Sequence, residues 1–241
     1  LAGGDKPRIE EKHIYPVDPA SPADPVNPDA VSGTRAKLQE GKTVSIAFLG
    51  DSITLGAEAG NWWNDRSKTY TGRVMAGLKK RFPQAEIKQI QAWKGGITTK
   101  KGTQFFKNQV QPKNPDLLVI ALGANDANGK SWDKPPRNPA PQFKEDMRSM
   151  VQAARNAGTE VLLVTPLRPY KIPAEKYIPN HRQALLELAN EEGVACADVY
   201  QDWQNLATRG MPPFTQLHNT SNHPGPFGHK LYAETILRLF E

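Results

Sequence analysis

Five short apolar runs are spaced along the chain, at residues 44–49 (VSIAFL), 86–92, 117–122 (LLVIAL), 160–165 (EVLLVT) and 194–199. Largely continuous apolar character, without polar alternation, predicts strands buried on both faces, as in a parallel sheet. Helix-length stretches lie between them at 71–82, 103–110, 141–156 and 176–192, the last striped by Leu185, Leu188 and Ala189. A final amphipathic helix is predicted at 228–240, with Tyr232, Ile236 and Phe240 four residues apart. Alternating strands and helices imply βαβ units and a three-layer α/β/α fold around a five-stranded, mostly parallel sheet. Two long loops, 123–140 and 166–179, interrupt the regularity. Loops of that length in a compact domain are more often functional than accidental. In an open parallel sheet the ligand crevice lies at the carboxyl ends of the strands, here after Leu49, Ala92, Leu122 and Thr165.

The chain ahead of this pattern differs in kind. Pro16, Pro19, Pro22, Pro25 and Pro28 recur every third residue, the period of polyproline II, which stacks the rings along one edge. Residues 1–34 are therefore expected to form a proline-rich extended arm or linker, and residues 35–241 a single domain. The arm is either a solvated spacer or an ordered edge lying on aromatic side chains of the body.

Composition narrows the class. At 241 residues, 38% of them apolar before the 19 glycines are added, the chain can bury a real core. One cysteine, Cys196, excludes an intrachain disulfide framework and a cysteine-based zinc site. No apolar run approaches the roughly 18 residues of a membrane span. A start at Leu1 rather than methionine is read as a signal peptide already removed, so a secreted or periplasmic protein is expected. The net charge of +6 is unevenly spread: residues 1–30 carry −3, and residues 79–113 carry nine basic residues against one acid, Glu86. Arm and basic stretch have opposite signs, so the arm is expected to fold back over the basic face.

The strand ends hold the candidate chemistry. After the first run comes Gly50-Asp51-Ser52-Ile53-Thr54, where a serine on a glycine-led turn can expose its hydroxyl; the alternative is a plain helix N-cap. Gly95-Gly96 follows the second run, allowing backbone N–H groups to approach a ligand closely or making an ordinary turn. Gly123-Ala124-Asn125-Asp126 follows the third, where Asn125 can aim its amide into the crevice or close an Asx-turn. Near the C-terminus, Asn222-His223-Pro224 precedes Gly228-His229, with Pro224 keeping His223 in extended backbone. His218, His223 and His229 match no helical-face metal motif, so neither metal nor cofactor is expected.

In this order and at these strand ends, the four segments resemble the blocks of the SGNH (GDSL-type) hydrolase family. Gly50–Thr54 is similar to its first block, Gly96-Ile97-Thr98 to its second, Gly123–Asp126 to its third, and His223-Pro224 with Gly228-His229 to its last. The resemblance spans about residues 43–241. It implies a flavodoxin-like fold and hydrolysis of esters, most often lipid, thioester or carbohydrate O-acyl groups. Ser52 would then be the nucleophile and His223 the base, with the oxyanion held by Ser52 N–H, Gly96 N–H and the Asn125 amide. Gly95 is the second choice for the middle donor. The family usually carries an aspartate three residues before its histidine, and here that residue is Thr220. Either a backbone carbonyl accepts from His223 Nδ1, the preferred expectation, or a carboxylate arrives from elsewhere. A weak or inactive descendant is the third outcome.

The substrate is read from the neighbours of these blocks. Trp62, Trp63, Trp93 and Trp132 offer flat faces for pyranose stacking, while Lys94 and Asp126 complete the expected substrate-binding set. Lys94, Lys100 and Lys101 beside the glycine loop favour an anionic substrate, unless they are merely solvated helix faces. A small-molecule or polysaccharide ester is expected, with O-acetyl groups on carbohydrate leading. A lysophospholipase or thioesterase is the alternative within the family, and a glycan-binding module the alternative outside catalysis. Nucleic acid is not expected, because no recognition motif accompanies the charge. The sequence fixes no oligomeric state. Asn219-Thr220-Ser221 also matches a glycosylation sequon, taken as coincidence beside the proposed base.

Overall fold

The computed structural model describes residues 23–60 and 65–241. Five strands, β1 (Val44–Gly50), β2 (Ile87–Trp93), β3 (Leu117–Ala121), β4 (Glu160–Val164) and β5 (Ala195–Ala197), form one sheet in the order β2-β1-β3-β4-β5. Every ladder between them is parallel. Their period of two sorts the apolar side chains cleanly. Ile46, Phe48, Leu117, Val119, Leu162 and Val164 enter one core. Ala47, Leu49, Leu118, Ile120, Val161 and Leu163 enter the other.

Helices cover both faces. Buried residues of α1 (Ser32–Gln39), α3 (Tyr70–Arg81), α8 (Val199–Thr208) and α9 (Pro226–Leu237) pack into the first core. Residues of α6 (Ala140–Asn156) and α7 (Ala174–Glu192) pack into the second, with Phe106 and Val110 just beyond α4 (Thr99–Phe105). Two single-turn helices, α2 (Ser52–Leu55) and α5 (Ala124–Ala127), open directly off β1 and β3. The expected three-layer architecture is therefore the observed one. Among the described residues no helix is long and apolar enough to cross a membrane.

Boundaries shift where local chemistry dictates. The helix expected at 103–110 starts earlier, at Thr99, and widens into a π turn over Phe106–Val110 before Pro112 helps end it. α7 begins at Ala174, so the second long loop is shorter than its prolines suggest. Pro179 sits in the second turn, where it forfeits only the bond to the Glu175 carbonyl.

The arm departs from expectation over its described part. Val26 exchanges two backbone hydrogen bonds with Cys196 at 3.0 Å, covering the free edge of β5. Asn27 Nδ2 donates to the Ala189 and Val194 carbonyls, and Val31 is fully buried. Glu160 accepts from Gly33 N and Thr34 N at the start of α1. Residues 23–34 are thus part of the body's packing rather than a linker. They dock at the β5 edge, across the sheet from β2, so this part does not lie over the basic stretch. Pro16, Pro19 and Pro22 fall outside the described residues.

Candidate active site

Strand register assembles the site. Gly50, the last residue of β1, pairs with Trp93 at the end of β2 and with Ala121 at the end of β3. The three segments that follow therefore leave the sheet at one level. β1 and β3 diverge here to opposite edges, the switch point at which doubly wound sheets bind ligands.

Gly50 is required by space. A Cβ there would stand 1.9 Å from Thr54 Oγ1 and 2.9 Å from the Ala121 carbonyl oxygen. Only glycine lets α2 fold back so tightly on the strand. Asp51 caps α2, its Oδ1 accepting from Ile53 N at 2.9 Å, while its Oδ2 accepts from Asn125 Nδ2 at 3.1 Å. Burial pushes the Asp51 carboxyl up to about 7, against the pull of these hydrogen bonds. Asp51 thus takes the capping role, and Ser52 is the first helical residue, its N–H unpaired within so short a helix. The two readings of the serine block are both realised, by adjacent residues.

Ser52 Oγ lies 2.9 Å from His223 Nε2. His223 is presented by a loop pinched at its base, where Leu217 bridges Pro224 and His218 N donates to the His223 carbonyl at 2.9 Å. Burial lowers the imidazole pKa from its ordinary value, and the Glu58 carboxylate partly counters this. Glu58, held at φ 67°, makes its direct contact with His218, Oε2 to Nδ1 at 2.8 Å.

Among the described residues no backbone carbonyl and no carboxylate accepts from His223 Nδ1, so both expected repairs are corrected. The group 3.0 Å from Nδ1 is the side-chain amide nitrogen of Asn219. Thr220 is exposed, at φ 64°, and its hydroxyl donates to the Asn219 carbonyl instead. Asn219 has a local signature in an Asx-type turn, its Oδ1 accepting from Ser221 N and Asn222 N, but only the fold brings its amide to the ring.

The oxyanion candidates converge unequally. Asn125 is half-buried and keeps one amide hydrogen beyond the bond to Asp51. A Cβ on Gly95 would stand 3.9 Å from Ser52 Cβ, whereas one on Gly96 would meet nothing within 4 Å. The side of Gly95 on which a Cβ would project thus faces Ser52, and Gly96 takes a left-handed conformation at φ 75°.

The substrate-binding set is only partly brought to the surface. Asp126 is fully buried, accepting from Thr99 N at 3.0 Å, Thr99 Oγ1 at 2.6 Å and Asn138 Nδ2 at 3.2 Å. It ties the start of α4, and hence the glycine loop, to the end of β3, and is closed to substrate. Trp93 carries the Arg66 guanidinium 4.7 Å above its ring, so that face is already taken. Arg66 is anchored in turn to the Leu55 carbonyl and to Thr71 Oγ1. Lys94 is exposed, and Trp132 is 53% exposed on its loop. Trp62 and Trp63 lie outside the described residues. An aromatic pair that the sequence did not single out, half-buried Tyr170 stacked on exposed Phe214 at 4.6 Å, lies nearby, with Tyr170 N donating to the Ser221 carbonyl in the base loop.

The other histidines among the described residues, His181, His218 and His229, have separate partners. His229 is buried on α9, its Nδ1 accepting from Tyr70 N and its Nε2 facing the Ala57 carbonyl, and burial drives it down to about 4. Among the described residues no group of three or more His, Cys, Asp or Glu could hold a metal ion.

Residues 48–231 match the model of the GDSL-like Lipase/Acylhydrolase family. No curated protein matches the sequence. Among solved structures, the acetylxylan esterase Axe2 from Geobacillus stearothermophilus is similar, with a TM-score of 0.68 at 19% identity over 82% of this chain and 94% of that one. A two-domain esterase (CEX) active on acetylated mannans, co-crystallized with mannopentaose, gives 0.68 at 22% identity over 87% of this chain and 52% of its own. LAE5, an alpha/beta hydrolase enzyme from the metagenome of Lake Arreo, Spain, gives 0.67 at 20% identity over 82% and 94%. Identities this low establish a shared fold. Catalytic mutants of Axe2 have been made at a serine, a histidine and the aspartate three residues before that histidine. Thr220 holds the corresponding spacing from His223.

Proposed function

Since the chain belongs to the GDSL-like lipase/acylhydrolase family and is a carboxylic ester hydrolase, we propose that Ser52 and His223 perform the hydrolysis, on O-acetyl groups of a carbohydrate. The observation that carries the catalytic part is the 2.9 Å contact between Ser52 Oγ and His223 Nε2 at the switch point of the sheet.

Ser52 Oγ attacks the ester carbonyl carbon while its proton passes to His223 Nε2. The oxyanion that forms takes hydrogen bonds from Ser52 N–H, from the Gly95-Gly96 loop and from the free amide hydrogen of Asn125. Collapse expels the sugar hydroxyl, which recovers the proton from His223. Water, deprotonated by the same imidazole, then attacks the acetyl-serine and releases acetate.

The carbohydrate part rests on the acetylated xylan and mannan named for two similar structures, and on the exposed Trp132 and the Tyr170–Phe214 stack. Exposed Lys94, Lys100 and Lys101 beside the glycine loop favour acidic polymers over neutral ones. Acetate release from neutral and acidic acetylated polysaccharides, alongside p-nitrophenyl acetate and laurate, tests this. Release from at least one polysaccharide, acetate cleaved faster than laurate, and loss of both in Ser52→Ala are expected. Faster laurate cleavage identifies a lipid esterase instead, and polysaccharide binding without turnover identifies a binding module.

A further inference from the structure

The amide of Asn219 can be oriented in only one way. Its Oδ1 accepts from three backbone N–H groups, those of Ser221 at 3.2 Å, Asn222 at 3.0 Å and His223 at 2.9 Å. A flipped amide would set an NH2 group against those three donors. The nitrogen therefore faces His223 Nδ1 at 3.0 Å, with Asn222 Oδ1 at 2.8 Å accepting its other hydrogen. An amide NH2 only donates, so Nδ1 must offer a lone pair. In a neutral imidazole the single proton then resides on Nε2, the nitrogen that faces Ser52 Oγ. In this arrangement the ring donates to the nucleophile and cannot accept its proton.

We infer that Asn219 is a positioning residue that holds His223 in the Nε2–H tautomer, so that the resting site is set against its own base step. The inference rests on the reading of Ser52 as nucleophile and His223 as base. Turnover must pass through the less populated Nδ1–H tautomer, in which two donors confront each other. The imidazolium formed on proton transfer meets the same conflict. The carboxylate whose charge acts on the ring, Glu58, is engaged with His218, and the other imidazole that interacts with it, His229, is buried and driven towards the neutral form. Neither relieves Nδ1.

A carboxylate at position 219 reverses the arrangement with almost no change of shape. In Asn219→Asp, one oxygen keeps the three N–H bonds and the other accepts from Nδ1–H. The Asn222 amide can turn to donate to it. In serine proteases the opposite exchange, aspartate to asparagine beside the histidine, costs on the order of 10⁴ in kcat through the wrong tautomer. Asn219→Asp is accordingly expected to raise kcat on p-nitrophenyl acetate by on the order of 10²–10⁴, with KM little changed. The acid limb of its pH–rate profile should move to higher pH, because the new charge stabilises imidazolium.

The direct readout is the ¹⁵N–¹H correlation spectrum of His223 in the full chain. The wild type should show Nδ1 without a proton and Nε2 with one, and Asn219→Asp the reverse. A wild-type spectrum with the proton on Nδ1 overturns the inference. So does a folded Asn219→Asp variant that is no faster. Should that variant not fold, the wild-type spectrum decides alone. Undiminished turnover in Ser52→Ala would refute the catalytic reading while leaving the tautomer measurement intact, so the two failures are distinguishable.

Discussion

Two polar clusters meet at Ser52 and are built on opposite principles. Beneath the strand ends, Asp51 and Asp126 are buried carboxylates, each surrounded by donors: Ile53 N and Asn125 for the first, Thr99 and Asn138 for the second. In the loop carrying His223, the organising group is a neutral amide that holds three N–H groups and one ring nitrogen. Buried carboxyl groups thus sit where they fix backbone around the nucleophile and the oxyanion donors. The base receives none. Geometry on one side and protonation on the other are set by different residues, and each can be altered without the other.

The largest effect expected on the carboxylate side comes from removing the donor that Asp51 orients. Asn125→Ala should lower kcat by about 10²–10³ with KM nearly constant, as for loss of one oxyanion donor. Steady-state kinetics would contradict this if KM rose and kcat did not fall. Gly50→Ala addresses the scaffold. Its Cβ would collide with Thr54 Oγ1 and the Ala121 carbonyl, so urea unfolding should reveal a loss of about 1–3 kcal/mol. An unchanged midpoint and slope would show that α2 is less tightly seated than described.

The smallest effect is a pH signature of Asp51. Its carboxyl is raised from 3.8 to about 7, so within that window the folded chain keeps a proton that the unfolded chain releases. This group therefore makes stability fall as pH rises from 3.8 to about 7, and the whole penalty is present above 7. Asp51→Asn should raise the melting temperature more at pH 8 than at pH 5. An equal shift at both pH values would mean that burial of the charge is not the cause.

How far the sequence discloses this molecule depends on whether a feature is local. The parallel strands were legible because burial on both faces leaves unbroken apolar runs, and the strand-end rule then pointed to the segments of Ser52, the glycine loop and Asn125, which leave the sheet at one level. α8 was hidden because Val199 could equally end the preceding apolar run, although Val199, Trp203 and Leu206 mark one helical face. α1 buries only Thr34 and Leu38, too few to break the proline pattern ahead of it. Asp126 was misplaced among the substrate-binding residues because a carboxylate after a strand reads the same whether it faces solvent or clamps a helix. The Asn219–His223 contact was illegible for another reason. It depends on which amide atom faces the ring, and three backbone N–H groups decide that only once the loop is folded.

The central claim, that Ser52 is a nucleophile made reactive by His223, is tested most directly by a fluorophosphonate probe followed by peptide mass spectrometry. A single adduct on the Ser52 peptide, formed far more slowly in His223→Ala, is the result predicted. An adduct on another residue, or labelling of Ser52 at an undiminished rate without His223, would contradict it.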